Sequence, residues 1–125
     1  MGQIFDHITV GRQHLYALFD TGSRNSFVRS GAAPHGSTSS MKRGFLTAIG
    51  GRRHRIKKVC LLEGTLRRRP VTLTAYVLPE IGHDASGTPI DVLFGANAMQ
   101  DFCLRLDPER EELDVSHYHR ELYEV

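Results

Sequence analysis

No apolar run in this chain approaches the roughly 20 residues that a helical membrane span needs; Leu15-Tyr16-Ala17-Leu18-Phe19 is among the longest. The opening, Met1-Gly2-Gln3-Ile4-Phe5-Asp6, lacks both the basic start and the apolar middle of a secretory leader. Gly2 does not begin a myristoylation signal, because Asp6 stands where that pattern wants Ser or Thr. Tryptophan is absent, and two cysteines, Cys60 and Cys103, are too few for a disulfide framework. Both lie among apolar neighbours and read as buried thiols. His117 and His119 share one face of an extended segment, but no third ligand accompanies them, so neither a metal nor another cofactor is expected. These absences lead to the expectation of a cytoplasmic protein without membrane contact.

What is present fits one globular domain. The 125 residues are 40% hydrophobic and 24% charged, with no internal repeat or low-complexity tract. A single domain over 1–125 is expected, with its core at about 7–116 and an extension at 117–125. The net charge of +2 hides a segregation. Most basic residues lie between Lys42 and Arg69, whereas the balance from Glu80 onward is acidic. Arg52-Arg53-His54-Arg55-Ile56-Lys57-Lys58 resembles a nucleic-acid patch, but interleaved aromatics are missing. It reads better as a solvated hairpin face, one able to select acidic substrates, and Arg67-Arg68-Arg69 reads as an exposed turn.

Periodicity points to strands nearly everywhere. Residues 7–10 and 13–19 alternate as strands around a Gly11-Arg12 turn, and 26–29 continue extended. Residues 30–40 are loop by composition. The segments 43–49 and 52–63 form strands joined by Gly50-Gly51, a hairpin signal. A turn follows at 64–69. Val71, Leu73, Ala75 and Val77 then alternate with Thr72, Thr74 and Tyr76. Residues 90–94 are a buried strand ending at Gly95, and 96–103 form one short helix of good helix formers. Segments 104–106 and 113–115 pair around Asp107-Pro108-Glu109-Arg110. The expected class is a mostly-β, single-lobed domain with one short C-terminal helix.

The informative motif is Asp20-Thr21-Gly22-Ser23, which ends the second strand and occurs once. Asp and Gly are common turn residues, so a plain β-turn accounts for the tetrapeptide alone. Its surroundings add more. The strand and turn are followed by the glycine-tipped hairpin at Ala48-Ile49-Gly50-Gly51. Two strands later, Val92-Leu93-Phe94-Gly95 opens the helix Ala96-Asn97-Ala98-Met99. This order of parts resembles the retropepsin family, the retroviral-type aspartic proteases and their cellular and bacterial relatives.

The resemblance implies an acid-protease barrel and an aspartic endopeptidase that hydrolyses extended polypeptides. Peptide hydrolysis of this kind uses two carboxylates sharing one proton, and this chain supplies one, so a homodimer is implied. Asp20 would be the catalytic carboxylate. Thr21 would hold the partner's loop, Gly22 would present its carbonyl to substrate, and Ser23 would support the loop, its hydroxyl donating to a catalytic carboxylate. That donation would give an acidic activity optimum. Ile49, Gly50 and Gly51 would form the tip of a substrate-covering flap, and Gly95 would let the last core strand pass close beside the catalytic loop. Retroviral members often brace this region with an acidic residue after the turn and an arginine after the helix-opening glycine. Here those positions are Arg24 and Ala96. Two alternatives compete: a retropepsin-like dimeric binding module without turnover, and a basic β domain that binds nucleic acid.

Overall fold

A computed structural model describes residues 3–119. The elements run β1 (Ile4–Val10), β2 (Gln13–Asp20), β3 (Ser26–Arg29), β4 (Thr38–Ile49), β5 (Arg52–Leu66), β6 (Arg69–Leu78), β7 (Val92–Gly95), α1 (Ala96–Asp101), β8 (Arg105–Asp107) and β9 (Glu112–Asp114). Two 3-10 turns, Ser30–Ala32 and His35–Ser37, lead into β4.

The first seven strands form one sheet in the order β1-β2-β7-β3-β6-β5-β4. Six of them close into a barrel, because β5 also meets β1 at Thr9 and Thr65. Gly64 makes that closure possible. A Cβ there would lie 2.4 Å from the Thr9 carbonyl oxygen, so only bare backbone fits where the first and fifth strands meet. β4 stays outside the ring and extends with β5 as a long hairpin. β8 and β9 form a separate two-stranded sheet.

Strand alternation sorts the side chains. Leu15, Ala17 and Phe19 of β2, Val71, Leu73 and Ala75 of β6, and Val92 and Phe94 of β7 fill the barrel with Ile8, Val28, Leu62 and Leu66. Phe19 and Phe94 meet at 4.8 Å between ring centroids, and both are essentially fully buried. Each such side chain contributes roughly 2–3 kcal/mol of hydrophobic stabilisation. Phe27 and Leu93 alternate to the other face of β3 and β7. There they build a second, smaller cluster with Ile56 and Leu78, against which Met41, Ile49, Tyr76 and Ile81 rest.

The mostly-β lobe with a single helix is as the sequence leads one to expect, but details differ. β1 begins at Ile4, which is buried opposite Phe19. Part of the segment read as loop is strand, since β4 starts at Thr38 and pairs with Cys60. β5 runs on to Leu66, and the turn shrinks to Arg67 and Arg68, both at positive φ. The helix stops at Asp101, and Cys103 is exposed rather than buried. It occupies the left-handed position after the helix, φ 54°, while its N–H reaches Gln100 O and the Leu104 N–H reaches Met99 O. That pair of bonds caps the helix. It turns Phe102 and Leu104 inward and Cys103 outward. Of the extension expected at 117–125, Tyr118 stacks on Phe102 and its hydroxyl donates to Pro70 O; residues 120–125 lie outside the described residues.

Candidate active site at the end of the second strand

β2 and β7 run parallel, and their register sets Asp20 beside Gly95. Beyond Asp20 the chain turns sharply. The Gly22 N–H donates to Asp20 Oδ1 at 2.8 Å, and the Ser23 N–H reaches Asp20 O at 3.3 Å. The carboxylate is thus aimed by its own turn, with one oxygen engaged. Asp20 is half-buried, whereas Thr21 and Gly22 are exposed.

The loop is held from beneath by backbone. The Ala96 N–H donates to Ser23 O at 2.7 Å and the Asn97 N–H to Arg24 O at 3.1 Å. The first amides of α1, which have no partner inside a helix, are therefore satisfied by the loop that follows Asp20. These bonds stand where retroviral members use a side-chain pair. Arg24 is exposed, with no carboxylate within ion-pair distance among the described residues. The approach leaves no room for a side chain at Gly95, where a Cβ would lie 2.3 Å from Asn25 O and 2.8 Å from Ser23 O. Ser26, a buried polar residue, accepts the Gly95 N–H on its hydroxyl at 2.9 Å. Sequence reasoning missed Ser26; a hydroxyl heading the buried run Phe27-Val28 was its only signal.

Ser23 departs from expectation. Its hydroxyl donates to Asn25 O at 2.8 Å and not to the Asp20 carboxylate, because the turn points the side chain forward along the loop. The acidic optimum argued from that donation loses its stated cause.

Asp20 and Thr21 border a hollow of about 600 Å³ whose other walls include Ile4, Leu18, Phe19, Leu104, Leu106 and Pro108. The β4–β5 hairpin ends at Gly50 and Gly51, with φ of 58° and 78°. Ile49, just before this tip, rests on the cluster built from Phe27 and Leu93. The structure thus joins Asp20, Thr21, Gly22, Ser23 and Gly95 in one loop system. It places Ile49, Gly50 and Gly51 on a separate arm that reaches the same part of the sheet through Ile49.

A third segment, residues 79–91, is pinned beside this arm. Asp84 Oδ1 accepts from Thr88 N–H, Ser86 N–H and the Ser86 hydroxyl, and its Oδ2 accepts the Tyr16 hydroxyl at 2.8 Å. The Thr88 amide, followed by the Tyr16 and Ser86 donors, lowers the Asp84 pKa to about 2. The Tyr16 phenol is pushed up in return, chiefly by its bond to Asp84. Asp91 ties the other end, pairing with Arg29 at 2.6 Å and accepting the Tyr16 N–H at 2.9 Å. The segment presents Ile81 to the cluster that carries Ile49, and Glu80 reaches Arg52 at 3.6 Å. None of this was read from the sequence. The spacing Asp84-Ala85-Ser86-Gly87-Thr88 is a turn signature that carried the information.

Among the described residues no three His, Cys, Asp or Glu side chains converge as a metal site. No helix there is long and apolar enough to cross a membrane. No family model and no curated protein matches the sequence. Among solved structures, the chain is similar to the retroviral protease-like domain of Ddi1 from Leishmania major. The TM-score is 0.66 at 18% identity, and the match covers 93% of this chain and 90% of that one. The fold is retropepsin-like. Within that fold β2 ends in Asp20-Thr21-Gly22 beside β7, which opens α1 at Gly95.

Proposed function

We propose that this chain is an aspartic endopeptidase that works as a homodimer on extended polypeptides. The observation that carries the reading is the setting of Asp20. Its carboxylate is aimed by the Gly22 amide on an exposed turn, and Gly95 and Ser26 hold that turn rigidly from below. The hollow beside Thr21 supports a second copy as the missing half, because its walls are largely apolar and it borders the Asp20 turn.

In the dimer two Asp20 carboxylates face each other and share one proton. The ionised member takes a proton from a water held between them, and the water oxygen bonds to the scissile carbonyl carbon. The protonated member gives its proton to the carbonyl oxygen. Collapse of the tetrahedral species breaks the C–N bond as the amine takes a proton from the dyad and one hydroxyl of the diol returns a proton to it, which restores the shared proton. The arm ending at Ile49, Gly50 and Gly51 is the flap that covers the substrate, and glycine lets it bend and approach a backbone.

Asp20→Asn tests the assignment. The asparagine oxygen still accepts the Gly22 N–H, so the fold is kept while cleavage of unfolded casein disappears. Undiminished cleavage by that variant would remove Asp20 from the mechanism. Light scattering on the wild type, at several concentrations, should report twice the 14.0 kDa chain mass. A second reading, a dimeric binding module without turnover, is favoured by the unpaired Arg24 beside the turn. It requires self-association with no pepstatin-sensitive cleavage from acid to neutral pH.

A further inference from the structure

Between Asp20 and Glu63 the chain contains no Asp or Glu. That stretch includes the loop after the catalytic turn and most of the long hairpin, and it carries Arg24, Arg29, Lys42 and Arg43 besides the run Arg52 to Lys58. Among the described residues, only Arg29 and Arg52 of this set have a carboxylate within 4.0 Å. The Arg52–Glu80 contact, 3.6 Å between largely exposed side chains, is weak. The remaining cations face solvent unpaired.

The hairpin's register shows how they are deployed. Arg53 sits across from Ala48 and Arg55 across from Leu46 on its outer face. Arg52 pairs with Ile49, the residue that leans on the apolar cluster. A register shift between Ser40 and Phe45 loosens the ladder next to Lys42 and Arg43. A groove of about 420 Å³ opens there, edged by Lys42, Arg55, Lys57 and Lys58. Crowding like charges along one hairpin costs stability, and among the described residues only the weak Arg52–Glu80 contact offsets it. An anionic partner would offset the rest.

We propose, building on the endopeptidase reading, that the polypeptide taken by this site is acidic. A segment rich in Asp and Glu flanks the bond to be cut. Its carboxylates meet Arg24 beside the catalytic turn and the cations of the hairpin above. The alternative anion, nucleic acid, fits less well. Base recognition on a strand surface draws on free aromatic faces, and the hairpin's one Phe, Tyr or Trp side chain, Phe45, is engaged with Tyr76 in a T-shaped contact at 4.9 Å. The arm also overhangs an apolar cluster suited to side chains of a peptide.

The test uses two fluorescent peptides with the same apolar residues at the scissile bond, one flanked by Asp and Glu and one by Gln and Ser. Binding is measured on Asp20→Asn protein, so that it does not depend on turnover, and cleavage is measured on wild type. The acidic peptide should bind about tenfold more tightly at low salt, the sum of a few exposed charge contacts. The advantage should vanish at high salt. Arg53→Glu combined with Arg55→Glu, both on exposed positions, should erase it, and Arg24→Gln should reduce it by about threefold. Equal binding of the two peptides, or a preference untouched by these substitutions, overturns the proposal. So does a single-stranded oligonucleotide that binds more tightly than the acidic peptide. If the acidic peptide binds selectively but wild type cuts neither, the charge assignment stands and the endopeptidase reading falls. If wild type cuts both peptides equally well, the reverse holds.

Discussion

Glycine serves opposite purposes in the two halves of the candidate site. Around Asp20 it supplies room. Gly95 has ordinary extended dihedrals, φ −88° and ψ 177°, which any residue adopts, yet neighbouring carbonyl oxygens stand where its side chain would be. At the hairpin tip glycine supplies conformation. A Cβ on Gly50 or Gly51 would meet nothing within 4 Å, but both residues sit at positive φ. The Asp20 loop is therefore close-packed where it meets Gly95 and tolerates no addition there. The tip is an uncrowded one that tolerates additions in space but not in backbone angle. The proposed endopeptidase needs that division, a loop that holds a carboxylate still and an arm that bends over a substrate.

The contrast is sharpest in its largest expected effect. Gly95→Ala forces Asn25 and Ser23 backbone to move, and backbone cannot swing aside as a long side chain does. The cost is about 2–3 kcal/mol, a fall in Tm on the order of 10 °C, with activity lost because Asp20 shifts with its loop. A Tm within a degree or two of wild type would show that the loop is softer than its contacts imply. The tip should respond less and differently. Gly51→Ala places a side chain at φ 78°, costing about 1 kcal/mol. Gly50→Asn should be close to neutral, since asparagine accepts this conformation in two-residue hairpin turns. Thermal melts and kcat/KM on both variants check the ranking. If Gly50→Asn proves as damaging as Gly51→Ala, the dihedral account of the tip is wrong.

The same contrast explains what the sequence disclosed. Alternation along β2, β6 and β7 follows directly from burial on one face, so strands and core were legible. Asp-Thr-Gly-Ser and Gly-Gly named the turn and the tip because each is a local signal. What stayed hidden is nonlocal or atypical. The Arg67-Arg68 turn uses left-handed arginines in place of the usual Gly or Asn, and Cys103 does the same at a helix end. Nothing in the sequence decides that the Ser23 hydroxyl takes Asn25 O and not the Asp20 carboxylate. The pairing of Tyr16 with Asp84 crosses 68 positions and leaves no periodic trace.

That hidden pair offers the smallest and most specific test, because it links the two halves. Segment 79–91 carries Ile81 under the hairpin tip and is fastened to β2, the strand that ends in Asp20, through Tyr16. Asp84 has its pKa lowered to about 2 in the folded chain. A lowered carboxylate contributes stability that is present above the ordinary carboxylate range and is lost as pH falls through the folded value. The fastening therefore persists at the acidic pH at which a carboxylate dyad shares its proton, and releases only near pH 2. Tyr16→Phe removes one donor to Asp84 while leaving the Thr88 and Ser86 bonds in place, so the Asp84 midpoint should rise without reaching the ordinary value. Carboxyl NMR titration of both proteins reads it directly. Near neutral pH the variant should melt close to wild type, since Asp84 is only half-buried and keeps its Thr88 and Ser86 bonds. An Asp84 midpoint unchanged by Tyr16→Phe would mean that the loop's own turn holds the carboxylate alone, and that β2 and the segment bordering the hairpin are not coupled through this bond.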